Sequence, residues 1–116
     1  MLNQIVLVGR LVSDPEIKET ESGKKVSNIT LAVNRSFKNE EGIYETDFID
    51  CILWNGIATN TSEYCKKGDL VGVKGRVQST IVSDDSKSID ESKKNELQIV
   101  AEKVTFLSNK KEKSND

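Results

Sequence analysis

Residues 44–56, YETDFIDCILWNG, place flat side chains at a spacing suited to stacking. Side chains of a β-strand alternate between its two faces, so Phe48, Asp50, Ile52 and Trp54 share one side, and Ile49, Cys51 and Leu53 the other. The second set reads as a core face. The first sets a Phe and the sole Trp six residues apart on the more polar side, in a chain with one Trp, two Tyr and three Phe. Large rings left there forgo burial unless a flat ligand covers them, and nucleobases are such ligands. The competing reading is that the two rings cover a second apolar layer or a contact between subunits.

Other chemistries find little support. There is no histidine to act as a base, and the Ser and Cys residues lack a recognisable activating partner, so the chain does not read as an enzyme. Asp47 and Asp50 are a carboxylate pair of the kind that usually forms a solvated strand edge rather than a metal site. Cys51 and Cys65 are too few for a disulfide scaffold, and a zinc site would need carboxylates to complete it, so both read as reduced core thiols. No metal and no cofactor is expected.

The elements that must position the two rings follow from period and punctuation. Residues 3–12 form a strand with Ile5 and Leu7 on one face and Val6 and Val8 on the other, interrupted by Gly9 where a bend or bulge is expected. Turns at Asp14-Pro15 and at Glu21-Ser22-Gly23 precede a second strand over residues 26–35, in which Ile29, Leu31 and Val33 alternate with Asn28, Thr30 and Asn34. A polar hairpin loop over 38–42 leads into the ring-bearing third strand. After Asn55-Gly56 the period becomes helical: Ile57, Ala58, Thr61, Tyr64 and Cys65 line one side, with Tyr64 expected in the core. Lys66 and Lys67 fall in the last turn and Gly68 is placed as a C-terminal cap. A fourth strand over 70–82 turns Val71, Val73 and Val77 one way and Lys74, Arg76, Gln78 and Thr80 the other, with Gly72 and Gly75 permitting strong coiling. Residues 83–95 are charged and serine-rich, residues 97–107 form a fifth strand, and the tail over 109–116 has nothing to bury and is expected to be disordered.

At 116 residues and 12.9 kDa, this is one domain, residues 1–108, followed by that tail. A single proline and the lack of any long apolar run exclude a Pro-rich disordered protein and a membrane span. The start, MLNQIVLVGR, lacks a basic segment and a small-residue cleavage site, so a cytoplasmic location is expected. The net charge of -2 is unusual for a protein that meets phosphates, and no third of the chain is strongly basic. Any positive footprint must come from geometry.

Five strands coiled by internal glycines, with one short helix between the third and fourth, match the all-β OB-fold, a five-stranded Greek-key barrel. Such barrels bind oligomers on the outer face of strands two and three and on the adjoining loops, and that face holds Phe48 and Trp54. Phe37 shares the odd parity of Leu31 and Val33, so alternation sends it inward unless the strand frays or bulges before it.

The segments MLNQIVLVGRLVSDPE, ITLAVNRSF, TDFIDCILWNG, YCKKGDLVGVKGRVQ and IVAEKVTFL resemble, in sequence and in order, the tetrameric OB-fold single-stranded DNA-binding proteins of bacteria and phages. The likeness covers about residues 1–82 and 97–107. It implies that Phe37, Phe48 and Trp54 occupy base-stacking positions, and that Arg10, Arg35, Lys74 and Arg76 lie where basic side chains follow phosphates. Arg10 has a competing role pairing with Asp14 or Glu16, and Lys74 with an acidic neighbour. It further implies sequence-indifferent binding of single-stranded DNA, protection of exposed strands during replication, recombination or repair, a homotetramer, and a nucleoid-associated location; the apolar second faces of the first and fifth strands, with Val6 and Val8 as candidates, are expected at the tetramer contacts.

The departures are as specific. Glu19, and Ile81 with Val82, stand where rings are common in the family, so two stacking platforms are expected to be missing. Asp84, Asp85, Asp90 and Glu91 in the 83–95 segment would repel phosphate. Weaker or shorter-footprint binding is therefore expected. KKEKSND is not the acidic, apolar-ended tip with which most members dock repair and replication enzymes, which implies either a truncated chain or a specialised phage, plasmid or sporulation form. Two further readings stay open: an accessory replication module that binds protein more than DNA, and an OB domain for RNA or oligosaccharide.

Overall fold

A computed structural model describes residues 1–83 and 93–109. Six strands and one helix run in the order β1 (Ile5–Leu11), β2 (Lys18–Glu19), β3 (Lys25–Lys38), β4 (Tyr44–Trp54), α1 (Asn55–Tyr64), β5 (Leu70–Ser83) and β6 (Lys93–Ser108). The five long strands are those expected, and β2 is a two-residue addition beside the start of β3, with Lys18 opposite Val26. The sheet order is β1-β5-β6-β4-β3-β2, and β1 also pairs with β3, so β1, β5, β6, β4 and β3 close into a barrel. The β1–β3 pairing that closes it is short, Arg10 opposite Ala32 and Leu11 opposite Leu31, so Ile5–Gly9 of β1 pair on one side only, with β5. The connectivity is that of an OB-fold, with β4 and β6 running parallel where Cys51 meets Ile99 and Ile52 meets Val100.

The alternating apolar positions fill the barrel. Leu11, Ile29, Leu31, Cys51, Leu53, Ala58, Cys65, Val71, Val73 and Ala101 form one buried cluster, with Leu7, Ile49, Ile57, Ile99 and Val104 packed at its margin. The close wrapping that this small interior requires shows at two glycines. A Cβ on Gly9 would come within 2.7 Å of the Ala32 carbonyl oxygen, and one on Gly75 would run into the Val100 carbonyl oxygen. Gly75 also adjoins the register shift between Lys74 and Gly75 in the β5–β6 pairing, where the strand bends.

The helix departs from its expected form. It ends at Tyr64, with Cys65 as the C-cap in extended conformation, so Lys66 and Lys67 lie beyond it. Tyr64 is 72% exposed rather than in the core, because Ala58 and Thr61 already fill the buried face and the helix stops at this residue. Gly68, at φ +92°, serves the turn into β5 instead of capping the helix: its N–H donates to the Leu11 carbonyl at 2.8 Å, tying that turn to β1. Asn55, at φ +52°, opens the helix in the left-handed region that Asn tolerates, and its Oδ1 accepts the Lys25 N–H at 3.3 Å. The charged 83–95 segment is described at its two ends, where the β5–β6 hairpin continues to Ser83 opposite Lys93. Its centre and the tail beyond Asn109 lie outside the described residues.

Candidate nucleic-acid interface

The outward residues of β3 and β4 pair across the strands as Ala32 with Phe48, Thr30 with Asp50, Asn28 with Ile52 and Val26 with Trp54. Small and polar partners keep this surface low around the rings. Phe48 is 67% exposed, with only the Ala32 methyl group beside it on β3, and Trp54 is half-buried at the end of β4. Asp50 is held by the Thr30 hydroxyl, which donates to its Oδ1 at 2.7 Å. Ile52 belongs to the same face by alternation but is buried, because β6 runs alongside β4 here and sets Val100 next to it.

Two transverse rows link the rings to cations. Ala32, beside Phe48, is also opposite Arg10 of β1, so Phe48, Ala32 and Arg10 form one row across three strands. Ile52 pairs with Val100, and Val100 with Arg76, which sets Arg76 at the far end of the row next to Trp54. Both guanidinium groups are partly engaged. Arg10 donates to the Gly68 carbonyl at 2.9 Å rather than to Asp14 or Glu16, and Arg76 pairs with Glu102 at 3.2 Å and donates to Gln78 at 3.0 Å. Lys74 is exposed on the outer face of β5, between Val6 of β1 and Lys103 of β6, and forms no ion pair among the described residues.

Phe37 and Arg35 lie at an irregularity that the sequence pattern left undecided. Asn34 is opposite Thr46 but Lys38 is opposite Tyr44, so three residues of β3 face Glu45 alone. Within this bulge Phe37 is 64% exposed and does not enter the core. Arg35 falls on the side opposite to Phe48. Its guanidinium donates to Asp47 at 2.9 and 3.1 Å and pairs with Glu45 at 2.7 Å. The hydrogen bond and the charge of Asp47 hold the Arg35 pKa above its ordinary value, and the same hydrogen bond lowers that of Asp47. An arginine engaged in this way braces the β3–β4 hairpin through ion pairs that are themselves exposed. Asp47 and Asp50 point to opposite faces and do not form a joint site.

Of the two positions read as lacking a ring, Glu19 forms an ion pair with Lys25 at 3.9 Å, Ile81 is 68% exposed, and the Val82 side chain lies outside the described residues. A shallow cleft of about 230 Å³ lies beside Ile52, lined by Asn28, Asp50, Thr80, Glu96, Leu97 and Gln98 where the β5–β6 hairpin rises next to the ring face. Reading the sequence for rings also passed over Tyr44. It has the parity of Phe48 and Trp54, begins the same strand and is 57% exposed. The signal was present in the alternation itself, extended four residues toward the hairpin.

An OB barrel with rings uncovered on its oligomer-binding face directs attention to single-strand binders, and residues 2–107 match the model of the Single-strand binding protein family. The chain belongs to that family. It is 55% identical over 78 residues to single-stranded DNA-binding protein B of Bacillus subtilis, covering 67% of this chain and 69% of that protein. It is 46% identical over 110 residues to the single-stranded DNA-binding protein of Halalkalibacterium halodurans, covering 92% of this chain and 61% of the relative. With single-stranded DNA-binding protein 3 of Listeria innocua the identity is 47% over 111 residues, covering 95% and 66%. The chain thus spans about two thirds of the length of the relatives it matches. Among its described residues no helix is long and apolar enough to cross a membrane.

Proposed function

We propose that this protein binds single-stranded DNA without sequence preference, by stacking bases on Phe48, Trp54 and Phe37 while Arg10, Lys74 and Arg76 follow the phosphates. The observation that carries this reading is the exposure of Phe48 on the outer face of a closed barrel, in one strand with Trp54 and in one row with Arg10. Rings accept any base, each stacked base contributing about 1–3 kcal/mol, and cations add a counterion-release contribution that salt suppresses. The action is equilibrium binding, not turnover. It holds exposed strands extended and shields them during replication, recombination or repair, in the cytoplasm at the nucleoid. Arg35 belongs to the architecture of the hairpin in this scheme.

The oligomer fits the same reading. Val6 and Val8 are 64% and 50% exposed on the outer face of β1, which suits a contact between copies of a homotetramer. Several grooves on one particle would raise avidity without new contacts. A monomer seen by light scattering at micromolar concentration would remove this part. The binding itself is tested by titrating Trp54 fluorescence with poly-deoxythymidine at two salt concentrations, with a matched ribo-oligonucleotide in competition. Salt-dependent quenching, with preference for the deoxy polymer, is expected. No quenching at either salt concentration would overturn the proposal.

A further inference from the structure

Building on the single-stranded DNA reading above, we propose that Tyr44 and Lys38 form a further DNA subsite at the hairpin end of the groove, a ring and a cation supplied together by opposed residues. Tyr44 and Lys38 are cross-strand partners, and the Lys38 ammonium lies 5.7 Å from the centroid of the Tyr44 ring. That contact covers one side of the ring with a charge suited to phosphate. The other side adds to a surface on which Phe48 lies four residues along the same strand, about 13 Å away, with Trp54 about 20 Å further on. These separations give each ring its own base.

Three observations favour DNA as the occupant. The subsite continues the ring face without a break in parity: Tyr44, Phe48 and Trp54 are all on the side that pairs with Lys38, Ala32 and Val26. Alternation also sorts the charges. Glu45 and Asp47 point to the opposite side, where Arg35 holds them, so the paired positions of the ring face carry only Lys38 and the Thr30-bound Asp50 as charged residues. Finally, the hairpin is built to hold its shape. Asn39 Oδ1 accepts the N–H groups of Glu41 and Ile43 at 2.8 and 2.9 Å, its N–H donates to the Ile43 carbonyl at 2.8 Å, and its Nδ2 donates to Glu45 at 3.0 Å. Gly42, at φ +80°, takes the left-handed conformation that the turn requires. A hairpin backbone held in this way needs little ordering on binding.

The test is a titration of wild type, Tyr44→Ala, Tyr44→Phe and Lys38→Ala with oligothymidines of increasing length, followed by Trp54 quenching. Tyr44→Ala should bind the shortest oligomers as wild type does, lose about five- to hundredfold in affinity for longer ones, and show a smaller site size. Tyr44→Phe should retain wild-type binding, and Lys38→Ala should lower the logarithmic salt slope by about 0.7. Equal affinity of wild type and Tyr44→Ala at every length, or equal damage from Ala and Phe, would overturn the subsite. So would a change in particle mass for Tyr44→Ala without DNA, which would assign the ring to a contact between copies. If wild type itself fails to bind oligothymidine, the parent reading falls first; wild-type binding that depends on Trp54 but not on Tyr44 removes this inference alone.

Discussion

Replacing Phe48 with Ala separates stacking from folding more cleanly than any other change on the groove. The side chain is 67% exposed, so only about a third of its burial contributes to the barrel, or about 0.5–1 kcal/mol from the usual value for a fully buried Phe. The base it would support is worth about 1–3 kcal/mol, which corresponds to a loss of about 5- to 140-fold in affinity. Trp54 remains in this variant as the fluorescent reporter, so oligothymidine can be titrated against Phe48→Ala and wild type with the same signal. The loss should be similar for thymine and cytosine oligomers and should leave the salt slope unchanged, since a ring neutralises no phosphate. Unchanged affinity, alongside an intact fold by thermal melting, would refute the stacking argument. A drop in melting temperature far beyond that expected from one third of a Phe would instead place the ring in the structure of the barrel.

Three further outcomes follow from particular contacts. Arg76→Ala should lower the salt slope by about 0.7 while leaving Trp54 quenching at saturation intact, and should shift stability by less than about 1 kcal/mol because its pair with Glu102 is exposed; paired titrations and melts check this. Gly75→Ala forces a methyl group against the Val100 carbonyl at a crowded strand crossing, and should destabilise the barrel by about 1–3 kcal/mol or more in urea unfolding. Burial, helped by the Asp50 charge, pushes the Cys51 thiol up to about 11 from 9.0. The unfolded chain therefore releases this proton at lower pH than the folded one, and the stability it contributes is present below pH 9 and lost as pH rises toward 11. Melts at pH 8 and 10.5 should show a smaller decline for Cys51→Ala than for wild type, and equal declines would show that the thiol is not the cause.

Two-residue periodicity determined much of this molecule. The alternation of Ile29, Leu31 and Val33 with Asn28, Thr30 and Asn34 and the parity of Phe48 with Trp54 follow from the pleat of a strand, a local property that each residue carries with it. The glycines at 9 and 75 marked where the barrel wraps tightly. The helix was legible as an element but not in its extent, since Tyr64 has the right spacing for a core face and is left outside only because the chain turns away at Cys65.

Tertiary structure decided what alternation cannot express. Pairing register produced the bulge that releases Phe37, the rows that run from Phe48 to Arg10 and from Ile52 to Arg76, and the sorting that joins Arg35 to Asp47 and Glu45 on the opposite face. A sequence lists five basic residues in its first 36 positions but does not say which meet a carboxylate; that depends on residues 10 and 12 positions away brought to hydrogen-bonding distance by a hairpin. Faces are a property of one strand and can be counted along it, whereas partners are a property of two strands and exist only once the barrel has closed.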